Sequence, residues 1–155
     1  MKTAVIYVRF NTQDPITGDV QLAQEAALRD HAVQRGWEVV SVYCDPFVPG
    51  NIPQGGPAWQ EFLADAGRVK PDVLLVRDIA RLGRPIQIVV ERLAELQRLG
   101  ISLVGGQDGV EYSPAQIQSF LSTFDDLRKE FAQGVKLAER TRRKVKKVKP
   151  AGIAS

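Results

Sequence analysis

The chain has 155 residues, 44% of them apolar and 25% charged, which suits one soluble globular domain with a real core. No apolar run approaches the roughly 20 residues needed to cross a bilayer, Met1-Lys2 is expected to lead straight into a strand without a signal peptide, and the single Cys44 excludes an internal disulfide framework and a cysteine-based zinc site. The net charge of +3 is uneven: residues 1–111 carry 11 basic and 14 acidic side chains, and residues 112–155 carry 10 and 4.

In chain order, residues 3–8 read as a buried strand, an apolar β-branched run that breaks into polar Asn11, Thr12, Gln13 and Asp14. A helix is expected over 19–35, with Asp19 as N-cap and Gly36 just past its end. Its Val20, Ala23, Ala26, Ala27, Leu28 and Ala32 fall on one face. His31, the only histidine, sits in this helix as a surface or edge residue. A second strand is expected over 37–43, followed by a Pro- and Gly-rich loop over 45–56, which is long enough to be functional. The next helix starts at Pro57 and turns Trp59, Phe62, Leu63 and Ala66 inward. Then come a strand over 72–76, a loop over 77–84, a helix over 86–99 ending at Gly100, and a strand over 101–104. This alternation predicts an α/β fold: a largely parallel sheet of four to five strands, helices on both faces and right-handed crossovers.

The last element differs. Ser113-Pro114 is a helix start signal, and the helical pattern continues to residue 147. Ile117, Phe120, Leu121, Phe124, Leu127, Phe131, Val135 and Ala138 form one apolar stripe. Such a helix is on the order of 50 Å long, more than the roughly 30 Å width of a small domain, so its stripe is expected to meet another chain. Gly134 allows a break or a close helix contact. The expected organisation is a core over 1–112, a long helix over 113–147 and a flexible tail over 148–155. Seven basic residues lie between Arg140 and Lys149 with no acid among them, the footprint of a polyanion partner.

In open α/β sheets a ligand sits outside the carboxyl ends of the strands, where Arg9 and Asn11 stand. Tyr7-Val8-Arg9-Phe10-Asn11-Thr12 resembles the opening motif Tyr-x-Arg-x-Ser-Thr of the serine recombinases, the resolvase/invertase family. Further matches follow in order: Gln24, early in the first helix; Gly36-Trp37-Glu38-Val39-Val40; Ile79-Ala80-Arg81-Leu82-Gly83-Arg84, similar to the family's Leu-Asp-Arg-Leu-x-Arg; and Leu99-Gly100-Ile101. The long C-terminal helix resembles the family's dimerisation helix, whose far half crosses the DNA minor groove. The resemblance implies a resolvase-like catalytic domain, in which a serine attacks a phosphodiester and arginines stabilise the charge at phosphorus without a metal or other cofactor.

Position by position, the resemblance makes Arg9, Arg81, Arg84, Gln24 and Lys129 the phosphate-binding candidates. It puts Asn11 at the nucleophile position, and a carboxamide cannot form the phosphoester. Gly56 stands where the family has an arginine, and Ala80 where it has an aspartate unless Asp78 compensates. The Ser-Gly turn after the second strand has become Pro49-Gly50. Arg140, Arg142, Arg143, Lys144, Lys146 and Lys147 are the DNA-binding candidates, and Phe120, Phe124, Leu127, Phe131 and Val135 the dimer-interface candidates.

The family's recognition domain after the long helix has no counterpart before Ser155, so DNA binding is expected to be weak, salt-sensitive and poorly selective. The leading expectation is a cytoplasmic, DNA-associated protein that has lost strand cleavage. It would act as a homodimer or higher oligomer, or in mixed oligomers with an active serine recombinase. Two rivals stay open: an active recombinase with a displaced nucleophile, Thr12 being the nearest hydroxyl, and a phosphate- or nucleotide-binding α/β module.

Overall fold

The computed structural model describes the backbone at 1–10 and 18–147 and the side chains at 1–10 and 21–145. The elements in order are β1 (Thr3–Phe10), α1 (Gly18–Arg35), β2 (Glu38–Pro46), α2 (Pro57–Val69), β3 (Val73–Val76), a 3-10 turn (Ile79–Leu82), α3 (Ile86–Leu99), β4 (Ser102–Gly105), β5 (Glu111–Tyr112) and α4 (Pro114–Lys147). Contacts divide the chain into two compact units, Met1–Gln118 and Ser119–Ser155.

In the first unit the sheet order is β2-β1-β3-β4-β5. The first four strands are parallel, and only β5 runs antiparallel, against β4. The central strands are buried on both faces, as their unbroken apolar runs require. Along β1 the side chains alternate. Ala4, Ile6, Val8 and Phe10 join Leu28 and Ala32 of α1 on one face. On the other, Tyr7 meets the Trp59 ring of α2 edge-on, with centroids 5.1 Å apart, and Arg92 of α3 lies 5.6 Å above the same ring. Helices therefore cover both faces, α1 on one and α2 with α3 on the other.

Several expected boundaries move. β1 continues through Phe10, so Arg9 lies inside the strand rather than beyond it. β2 reaches Pro46, which shortens the Pro/Gly-rich loop to 47–56. Of the described residues of the expected apolar face of α1, Leu28 and Ala32 are buried and Ala23, Ala26 and Ala27 are exposed; the Val20 side chain lies outside the described residues. A cleft of about 350 Å3 lies between Ala23, Gln24, Ala27 and Leu28 of α1 and Arg77, Gly106 and Gln107, just past the ends of β3 and β4.

α4 starts as its sequence predicts. Ser113 Oγ accepts from the Gln116 amide at 3.2 Å, and Gln116 Oε1 accepts from the Ser113 amide at 2.8 Å, a reciprocal cap. The helix runs unbroken through Gly134, around which a side chain would meet open space. Within the second unit Phe120, Leu127, Phe131 and Val135 are exposed, and Phe124, half-buried, stacks on Phe120 with centroids 6.3 Å apart.

Candidate functional site

The chain leaves β1 toward β2 on one side, then crosses to β3 on the other. A reversal of this kind opens a crevice at the carboxyl ends of the two central strands. Arg9 comes from the end of β1, and Arg77 to Arg84 follow β3.

Arg9 is buried, and its guanidinium points into the fold's own backbone. Nε donates to the Arg81 carbonyl at 3.0 Å, Nη2 to the Ala80 carbonyl at 3.0 Å and Nη1 to the Val48 carbonyl at 3.2 Å. Arg81 answers with Nη1 donating to the Arg9 carbonyl at 3.2 Å. The two arginines thereby tie the end of β1 to the turn after β3 and to the loop after β2. Ala80 contributes only its carbonyl here. A carboxylate is supplied by Asp78, which lies 3.6 Å from Arg77 Nε and 3.8 Å from Arg81 Nε. Arg84 differs: its amide donates to the Gly50 carbonyl at 2.8 Å, its side chain is exposed, and it has no ion-pair partner among the described residues. Of the three arginines expected to cradle phosphate, Arg84 is the one that faces solvent.

Gly56 has a structural cause. It is the N-cap residue of α2 and supplies no side-chain cap. Asp45, at the end of β2, caps this helix instead. Its Oδ1 accepts from the Ala58 amide at 2.8 Å, and its Oδ2 accepts from the Trp59 amide at 3.1 Å and the Tyr7 hydroxyl at 2.7 Å. A carboxylate suits the partial positive charge of a helix N-terminus. A Cβ at Gly56 would come within 2.5 Å of the Asp45 carboxylate, so this position accepts no side chain while Asp45 stays in place. Burial, with the Asp45 hydrogen bond and charge, pushes the Tyr7 hydroxyl well above the usual tyrosine range. The role of Asp45 had a signal in the sequence: α2 opens at Gly56-Pro57 with no Ser, Thr, Asp or Asn of its own to cap it.

Asn11 and Thr12 lie outside the described residues, as does the tail from 148. Gln24 is grouped with Arg77, Gly106 and Gln107 in the α1 cleft, and its buried Oε1 has no hydrogen-bond partner among the described residues. Lys129, in the second unit, lies 3.0 Å from Asp125, whose carboxyl is held below its usual range by hydrogen bonds from Lys129 and Arg128. Arg140, Arg142, Arg143 and Lys144 are exposed; Lys146 and Lys147 are helical, and their side chains lie outside the described residues. No group of three or more His, Cys, Asp or Glu able to hold a metal ion is found among the described residues. Among the same residues no helix is long and apolar enough to cross a membrane.

The strand order, with helices on both faces, defines a doubly wound α/β domain, and arginines gather at the carboxyl ends of β1 and β3. Residues 4–154 match the family described as "Resolvase, N terminal domain", and the chain belongs to that family, the catalytic domains of serine recombinases, whose work is site-specific DNA recombination. No curated protein matches the chain closely. Among solved structures it is similar to the N-terminal catalytic domain of TP901-1 integrase, with 24% identity and a TM-score of 0.69 over 86% of this chain and 98% of that one. It is also similar to a resolvase family site-specific recombinase from Streptococcus pneumoniae, with 22% identity and a TM-score of 0.67 over 95% and 100%. A third is the C-terminal catalytic domain of ISC1926 TnpA, an IS607-like serine recombinase, with 19% identity and a TM-score of 0.55 over 94% and 99%. At these identities the likeness to the solved structures speaks for the fold alone.

Proposed function

We propose that this chain is a serine-recombinase-like DNA-associated protein that holds DNA without cutting it, acting as an oligomerising or regulatory partner. The observation that carries this reading is Asn11, placed where the family motif has its serine. A carboxamide nitrogen is delocalised into its carbonyl, and neither amide atom can become the alkoxide that attacks phosphorus. The engagement of Arg9 supports the same reading. At least three of the five N–H donors a guanidinium carries are bonded to backbone carbonyls, so Arg9 serves as a strut as well as a charge. Gly56, pressed against Asp45, removes a further cation from the crevice. The exposed basic face of α4 offers phosphate contacts without sequence selectivity, and its exposed apolar stripe offers a surface for a second helix.

The test is incubation with supercoiled plasmid, followed by denaturing electrophoresis for a covalent protein–DNA adduct. The unmodified chain is expected to form none, and Asn11→Ser alone is expected to restore none. An adduct with the unmodified chain would overturn the reading. Nicking by Asn11→Ser would show that Gly56 and the bound Arg9 do not matter.

A further inference from the structure

β2 is an edge strand. Its one partner in the sheet is β1, and no other described element bonds to the backbone of 39–46. The register skips Val40 at a bulge, then pairs Ser41 to Pro46 with Val5 to Phe10 without a break. Pro46 carries no N–H. The open edge is therefore a regular stretch, 41–45, closed off by a bulge at one end and a proline at the other, two devices that keep a sheet edge from pairing indiscriminately. A groove of about 290 Å3 runs beside it, lined by residues 41–44 and by Ala58, Glu61 and Asp65 of α2. Four consecutive strand residues line it, so its floor is the edge of the strand rather than one of its faces. Val42 and Cys44 pack on the α1 side. Tyr43 turns to α2, where its hydroxyl donates to Asp65 Oδ2 at 2.8 Å and its ring lies 5.7 Å from that of Phe62. The α2 wall is acidic. Glu61 is exposed, with no ion-pair partner among the described residues, and Asp65 is half-buried. Arg68 lies 3.3 Å from Asp65, but its side chain is 76% exposed, and a surface pair of that kind holds weakly.

We propose that the 41–45 edge of β2 takes an extended peptide of a partner protein, with basic side chains at alternate positions, as a sixth strand of the sheet. The site would serve a protein partner whether or not the chain holds DNA. An added strand meets the unpaired N–H and C=O groups of the edge. Its side chains on the α2 side recur about every 6.7 Å, and Glu61 and Asp65, one helical turn apart, stand about 6 Å from each other. A Lys-x-Lys or Arg-x-Arg pair thus meets both carboxylates at once. On the α1 side the added side chains lie beside half-buried Val42 and Cys44, which suits apolar residues. The same charges tell against a second copy of this chain as the occupant. Pairing two β2 edges would bring Glu61 and Asp65 of both copies into one groove, where like charges repel.

The experiment titrates the isotope-labelled full chain with an end-blocked peptide of alternating Lys and Val, followed by amide NMR and hydrogen exchange. Saturable shifts are expected at 41–45 and along 58–65, and exchange of the outward-facing β2 amides is expected to slow by about tenfold or more, with β3 and β4 unchanged. A peptide of alternating Glu and Val is expected not to bind. Two further Lys-Val peptides carry N-methyl groups, one on its Lys amides and the other on its Val amides. Their charge is the same, but only one of them keeps the N–H groups that face β2; the other is expected to lose about tenfold or more in affinity. Glu61→Lys is expected to weaken the unmethylated peptide by about tenfold; should that variant fail to fold, the methylated pair decides on the unmodified chain. Equal binding of the two methylated peptides means charge contact without strand addition and overturns the proposal. Shifts confined to α4, or no saturable binding, overturn it too. Shifts at 41–45 that grow with protein concentration alone put a second copy in the groove and overturn it as well.

Discussion

The Asp45 cap at α2 leads to a sharp quantitative expectation. Asp45 is 2% exposed and accepts three hydrogen bonds. Asp45→Ala leaves two helix-terminal amides and the Tyr7 hydroxyl without their acceptor. Loss of an N-cap costs about 1 kcal/mol and a bond to a charged group about 1.5–3 kcal/mol; because the three bonds share one group, the expected loss is about 3 kcal/mol rather than their sum. Gly56→Ala strikes the same carboxylate from the other side, since its Cβ would lie 2.5 Å from Asp45 Cγ. Asp45 must then swing and give up at least one bond, an expected loss of about 2 kcal/mol. The Gly56 backbone, at φ −76° and ψ 175°, is open to alanine. With Asp45 already replaced, the clash is gone, and Gly56→Ala is expected to cost under about 0.5 kcal/mol or to stabilise slightly by restricting the unfolded chain. The double-mutant cycle therefore carries a coupling of about 2 kcal/mol. Urea unfolding of the four proteins, followed by far-UV circular dichroism with a common slope, measures it. Additive losses would refute the claim that Gly56 exists to make room for Asp45.

Other expectations follow from the same geometry. Arg9→Gln is expected to lose about 3 kcal/mol of stability, because the carbonyls of Val48, Ala80 and Arg81 lose charged donors. Arg84→Gln, at an exposed side chain, is expected to leave the urea midpoint unchanged and to weaken binding to duplex DNA; the opposite pattern would reverse the roles assigned to the two arginines. Burial, with the nearby carboxylates of Asp45 and Glu25, pushes the Cys44 thiol up from 9.0 to about 11. The unfolded chain therefore loses that proton first, and stability is expected to fall as pH rises from about 9 to 11. Tyr7, raised in the same direction, adds to the loss above pH 10. Cys44→Val is expected to flatten the fall near its start, and a urea midpoint rising through that window would contradict the assignment. Replacing Arg140, Arg142, Arg143 and Lys144 together by Gln is expected to lower the slope of log affinity against log salt by roughly 3 to 4 if all four meet phosphates; an unchanged slope would remove α4 from the DNA contact.

The sequence by itself determined the elements and the family. Its apolar runs and helical periodicity marked four strands and four long helices, and the Ser113-Pro114 signal marked the start of α4. These are local patterns, imposed by which faces must be buried, so they survive in one dimension. The Tyr7-to-Thr12 motif and the arginine spacing at 81 and 84 named the family because its chemistry needs those groups in a fixed order.

Only the tertiary structure decided what Arg9 does. Its carbonyl partners lie 39, 71 and 72 positions away in the chain, and no spacing rule can tell a guanidinium turned toward backbone from one turned toward a phosphate. Nor does any spacing show that Asp45, at the end of β2, fills the space a side chain at Gly56 would take. The two-residue β5 was too short to show a period. Arg92 could have been noticed as a cation amid the apolar face of α3, but the hydrogen bonds it donates to the carbonyls of Ile52 and Pro53 join segments about 40 residues apart. Contacts of this kind are settled by packing, where one buried donor must find one acceptor, and packing is a property of the folded chain.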